Sequence, residues 1–118
     1  MKSSEALEQI NLIRWCELQK NIYPGVELIF AIPNGGSRHK LEAANLKRQG
    51  VRAGVPDLFL PIAKGKYNGL FIELKYGKNK ATDKQKEWIS KLNEQNYYAL
   101  VCNGFEEAKN EMIKYMKL

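Results

Sequence analysis

Val55-Pro56-Asp57-Leu58-Phe59-Leu60-Pro61, then Gly65-Lys66-Tyr67-Asn68-Gly69, then Leu70-Phe71-Ile72-Glu73-Leu74-Lys75 is the stretch that decides the fold. Two short apolar runs flank a glycine-bounded turn, which reads as strand, turn, strand. The first run opens at a proline, where the missing N–H does little harm to a ladder. In the second, Leu70, Ile72 and Leu74 fall on one face and Phe71, Glu73 and Lys75 on the other. Each run carries a carboxylate where apolar surroundings tolerate charge poorly. The chain has only two aspartates, Asp57 and Asp83. Asp83 suits the first turn of a helix, at the positive end of its dipole. Nothing of that kind accounts for Asp57 at the head of an apolar strand.

If the two strands are neighbours, Asp57, Glu73 and Lys75 meet at one sheet edge. Adjacent carboxylates repel, and a divalent cation held by oxygen ligands relieves the repulsion. Such a cation lowers the pKa of a bound water and polarises a phosphoryl oxygen, while a lysine neutralises developing charge. The competing reading is a solvated strand face for Glu73 and Lys75 with Asp57 in a turn.

Outward from this hairpin the chain alternates helix and strand. Residues 4–20 read as a helix with Ser4 as N-cap and Ala6, Ile10, Ile13 and Cys16 as its apolar stripe, while Leu7, Leu12, Trp15 and Leu18 lie off it. At about 100° per residue, Glu5 falls nearer that stripe than Glu8 does. Tyr23-Pro24-Gly25 breaks the helix, and Val26–Ile32 is a strand ended by Pro33-Asn34-Gly35-Gly36. Ser37–Arg48 reads as a helical insert with Gly50 as its C-cap. Beyond Lys75, Tyr76-Gly77-Lys78-Asn79-Lys80 is a basic loop. Thr82-Asp83-Lys84-Gln85 forms a capping box for a helix with Trp88, Ile89 and Leu92 on one face. Tyr97–Cys102 is an apolar strand, and Gly104 parts it from a final helix carrying Phe105, Ala108, Met112 and Tyr115. The expected architecture is α/β: residues 1–118 as one domain, a small mixed sheet flanked by helices, with a helical insert after the first strand.

The 118 residues carry a formal charge of +6, which suits a polyanion such as nucleic acid but serves equally as a solubility surplus. Cys16 and Cys102 sit among apolar residues and read as buried free thiols. With the single His39 they cannot build a tetrahedral zinc site. His39 reads as a surface residue of the insert; alone, and with no G-x-S-x-G motif nearby, it argues against a serine-hydrolase triad. Asn34-Gly35-Gly36 is followed by no phosphate-loop pattern. Neither a signal peptide nor a membrane-spanning run is legible, so a soluble cytoplasmic protein without membrane association is expected.

Pro56-Asp57 followed by Glu73-Leu74-Lys75 resembles the PD-(D/E)XK nuclease signature. Ile32-Pro33-Asn34-Gly35-Gly36, Gly50-Val51-Arg52-Ala53-Gly54-Val55-Pro56-Asp57-Leu58, Gly69–Lys75 and the later Gln85 resemble its VRR-NUC branch, over nearly the whole chain. The resemblance implies a restriction-endonuclease-like core and a metal-dependent endonuclease acting on DNA, structure-specific for branched or junction-like substrates, with Mg²⁺ or Mn²⁺ and no organic cofactor. It implies that Asp57, Glu73 and the Leu74 carbonyl bind metal, that Lys75 is the catalytic lysine, that Gln85 joins the site, and that Glu5 is the acid of the first helix, with Glu8 as its rival. Gln85 also has the capping role above. Stand-alone members are often phage-encoded and dimeric, which implies a homodimer and, for a phage protein, the host cytoplasm. Arg38, Lys40, Arg52, Lys78 and Lys80 are the cations expected to meet DNA. The alternative function is a basic nucleic-acid-binding module without catalysis.

Overall fold

The computed structural model describes residues 2–33 and 40–118, with only the backbone of residues 40 and 41. Its elements run α1 (Glu5–Leu18), β1 (Phe30–Ala31), α2 (Lys40–Arg48), β2 (Leu58–Leu60), β3 (Leu70–Lys75), α3 (Asp83–Glu94), β4 (Tyr98–Asn103) and α4 (Gly104–Met116). The described strands form one sheet in the order β1-β2-β3-β4. β1 pairs with β2 and β2 with β3 antiparallel, whereas β3 and β4 are parallel. Parallel neighbours need a crossover, and α3 supplies it. The mixed sheet flanked by helices is the α/β arrangement expected from the alternation of apolar runs.

Strand alternation divides the sheet into two faces. Leu58, Leu60, Leu70, Ile72 and Leu74 are buried in one core with Leu12 and Cys16 of α1 and Ala108, Met112 and Tyr115 of α4. The opposite face carries an aromatic row. Phe59 stacks on Phe71 at 4.3 Å between centroids, Phe30 meets Phe59 edge-on at 5.8 Å, and Tyr97 meets Phe71 at 5.2 Å. Such pairs stabilise beyond their buried area. Gly69 leaves room for this row, since a methyl there would stand 2.7 Å from the Phe59 ring.

The outer edge of β4 is closed by a side chain. Asn93 of α3 accepts from the Ala99 N–H at 2.9 Å and donates to the Ala99 carbonyl at 3.0 Å. One carboxamide thereby satisfies both backbone groups that Ala99 would otherwise present at the edge. The Thr82–Gln85 capping box is present as expected, with Thr82 Oγ1 accepting from Gln85 N–H and Gln85 Oε1 accepting from Thr82 N–H. Gly50, at φ 102, ends α2 with Val51 N–H bonded back to the Leu46 carbonyl, the left-handed terminus its sequence implies. Cys16 and Cys102 are buried free thiols, and burial pushes both up to about 12.

Two expectations change, and a third falls partly outside the described residues. The stripe of α1 is only partly the one its spacing implied: Cys16 is buried as expected, but Leu12, expected off the stripe, is buried with it, while Ile10 of the expected stripe is half exposed. Apolar residues are spread round this helix, so periodicity alone could not choose the face, and the packing of α1 against α4 chose it. The strand expected over Val26–Ile32 shrinks to Phe30–Ala31, because Val26–Leu28 forms a 3-10 turn. Gly25 enters that turn at φ 99, and its N–H is held by Glu27 Oε1 at 2.8 Å. The insert helix spans Lys40–Arg48; its expected beginning at Ser37 lies outside the described residues.

Candidate functional site

The pairing Leu58↔Ile72 sets Asp57 across from Glu73 one step further along. At this point β2 has ended and β3 continues, so the Leu74 N–H lacks the backbone acceptor that a longer β2 would offer. The Asp57 carboxylate takes that place, accepting from Leu74 N–H at 2.8 Å. A buried N–H without an acceptor is costly, and this bond fixes the Asp57 carboxylate beside β3.

Glu73 is 1% exposed. It shares its face with Lys75, whose Nζ lies 3.6 Å from Glu73 Oε2. Its other oxygen, Oε1, is buried with no hydrogen-bond partner among the described residues. A buried carboxylate is penalised in its charged form, and burial followed by the neighbouring Asp57 pushes the Glu73 carboxyl up to about 8, against the partial relief of Lys75. Two carboxyls, one ammonium and an unsatisfied buried oxygen therefore meet where the sequence placed its two misfit acids. That donor set fits a hard divalent cation, whose charge would supply what Lys75 only partly supplies.

The other sequence-derived residues are more dispersed. Among the described residues, no group of three or more Asp, Glu, His or Cys side chains is close enough to hold a metal ion. Glu5 lies half-buried in the first turn of α1. Glu8 has a structural task that the sequence reading missed. Its Oε1 accepts from Phe105 N–H at 3.0 Å and its Oε2 from Ser3 Oγ at 2.5 Å. These donors, Phe105 first, hold its carboxyl below the usual range. Glu8 thus caps the start of α4, where Asn103 offers no side-chain cap. Gln85 keeps its oxygen in the capping box and is half-buried.

Lys78 and Lys80 are exposed in the loop after β3. Asn103, paired with Lys75 across the parallel strands, donates to the Gly77 carbonyl at 2.9 Å and ties this loop to the sheet. Arg52 is exposed in the loop before β2. Arg38 and the Lys40 side chain lie outside the described residues.

A family description of the VRR-NUC domain matches residues 3–106. The chain belongs to the VRR-NUC family. A solved structure described as a VRR_NUC domain protein superimposes with a TM-score of 0.86 at 37% identity, covering 100% of this chain and 92% of that one. Among curated proteins none matches. This VRR-NUC chain accordingly has a nuclease-type fold, and none of its described helices is long and apolar enough to cross a membrane.

Glu73 gives the site a pH signature. The unfolded chain releases this proton near 4.5, whereas the folded protein holds it to about 8. Between those values the folded state binds more protons, so stability falls as pH rises. Denaturation in EDTA at a series of pH values between about 5 and 8 should show this decline in the natural protein. Glu73→Gln cannot titrate and should lack that part of the slope. Parallel slopes would mean that Glu73 ionises normally.

Proposed function

We propose that this VRR-NUC chain is a deoxyribonuclease that hydrolyses phosphodiester bonds with Mg²⁺ or Mn²⁺ and prefers branched DNA. The observation that carries this reading is the buried Glu73 carboxylate, with Oε1 unsatisfied beside Asp57 and Lys75. Asp57, Glu73 and the Leu74 carbonyl would hold the cation, with Glu5 as a further carboxylate from α1. Oxygen donors without a thiolate suit Mg²⁺ or Mn²⁺. When bound, the cation supplies Lewis acidity and an acidified water.

The chain's own groups supply the rest. Lys75, held against Glu73, sets a positive charge where the phosphoryl oxygens gain negative charge. Gln85 opens α3 with its amide nitrogen left to orient a water or a phosphate oxygen. Arg38, Lys40, Arg52, Lys78 and Lys80 would track the DNA backbone, where most affinity for a polyanion originates.

A branched substrate spans more than one short groove, and a two-fold pair of sites fits it. We therefore propose a homodimer to which the insert of residues 37–50 contributes, either at the contact or in the DNA cradle. Leu18, Ile22, Leu28 and Phe30 are exposed apolar side chains that such a contact would cover.

Cleavage and gel shift on the same variants test the nuclease reading. Asp57→Asn and Lys75→Met should each lose roughly a hundredfold or more in cutting rate while folding and holding DNA as before. Neutralising Lys78 and Lys80 together should weaken binding and lower the salt slope by roughly 2. If Asp57→Asn cuts like the natural protein under Mg²⁺, the assignment fails. Retained binding with no cutting by the natural protein on any DNA would favour the non-catalytic module.

Light scattering should return twice the 13.6 kDa chain mass. A monomeric mass would remove the dimer and leave the insert's basic residues as DNA contacts only.

A further inference from the structure

A second feature lies between the insert and α3, outside the Asp57–Glu73 cluster. A groove of about 400 Å³ is lined by Ala43 and Lys47 of α2, Val51 and Arg52 of the following loop, and Lys84 and Trp88 of α3. Its volume is within the range of about 300–1,000 Å³ typical of small-ligand sites. Three of its walls end in cations, no acid lines it, and none of those cations is ion-paired to a described residue. The α3 wall adds an indole to its lysine.

The groove is built into the fold. Gly54, at φ 92, lies directly on α3: a methyl there would stand 2.8 Å from Lys84 Cγ, 3.0 Å from Trp88 Cδ1 and 3.2 Å from the Lys84 carbonyl carbon. Only glycine brings the loop so close, and this contact sets Arg52 beside Lys84 and Trp88. Trp88 is half-buried, and α3 buries none of its residues fully, so part of the indole is left for a ligand. Cations beside an incompletely covered indole match the two halves of a nucleotide, phosphate and base.

The groove also adjoins the cluster of acids. Gly54 precedes Asp57 by three residues, so their Cα atoms are at most about 11 Å apart. That distance corresponds to about three steps along one strand of a duplex.

We propose that this groove takes one unstacked nucleotide of the DNA strand, its base against Trp88 and its phosphate on Lys47, Arg52 and Lys84, within a few nucleotides of the bond that is cut. The site rests on the reading of the chain as a nuclease acting on DNA. It would favour branched DNA over intact duplex, because branches, flaps and mispaired ends offer a base at little unstacking cost.

The chain has two tryptophans, so Trp15→Phe leaves Trp88 as the only indole reporter. In EDTA, a short oligo-dT should quench its emission saturably. An abasic phosphodiester strand of the same length should bind, by anisotropy, without quenching. Trp88→Ala should weaken oligo-dT binding about tenfold, Trp88→Phe should retain most of it, and neither should alter abasic-strand binding. Bound oligo-dT that leaves the emission unchanged, equal quenching by the abasic strand, or full affinity in Trp88→Ala would overturn the proposal. Should Trp88→Ala not fold by circular dichroism, the two quenching titrations decide in either direction. Failure of the nuclease reading is separately visible, as Asp57→Asn cutting at full rate while the quenching results stand.

Discussion

The hydrogen bond from Leu74 N–H to the Asp57 carboxylate is the contact on which the site depends. It exists because β3 outlasts β2, leaving a buried donor that the backbone does not satisfy. Had β2 continued, a main-chain carbonyl would take that N–H and Asp57 would have no reason to face β3. β2 begins only at Leu58, and a strand carried back to Pro56 would still lack a rung, since proline has no N–H of its own to place in the ladder. One missing rung thus anchors a carboxylate next to Glu73.

The consequence is an electrostatic debt concentrated at Glu73. Its carboxyl is almost wholly buried, has Asp57 for a neighbour, and receives partial compensation from Lys75 at 3.6 Å. Packing holds this arrangement in place: Leu70, Ile72 and Leu74 fix β3 in the core, and the aromatic row across the other face fixes its register with β2. Asn103 tethers the basic loop that follows Lys75. A buried acid that holds its proton tightly beside a second carboxylate is the kind of perturbed group that concentrates at functional sites.

Much of this was legible in the sequence because it rested on local chemistry. Alternation gave β3 its two faces, Thr82 and Gln85 announced their capping box, Gly50 marked the end of the insert helix, and Asp57 and Glu73 stood out as acids in apolar runs. What was not legible depended on partners distant in the chain. The α1 stripe was misread at Ile10 and Leu12 because packing against α4, not spacing within α1, chooses which face is buried. Glu8 looked like a rival metal ligand, and its bond to Phe105 N–H, 97 residues away, carries no local signal. The bonds of Asn93 to Ala99 likewise exist only once α3 lies beside β4. The groove beside Trp88 joins three separate segments, and no local pattern within any one of them marks it.

The central claim is that Asp57 and Glu73 share a divalent cation. Its most direct test is a crystal grown with Mn²⁺ and measured at the manganese absorption edge, which locates the ion independently of any assay. The account predicts an anomalous peak between the two carboxylates, within coordination distance of both and of the Leu74 carbonyl, and no such peak in crystals of Asp57→Ala. Manganese bound elsewhere with this position empty, or a peak that persists in the variant, would contradict it.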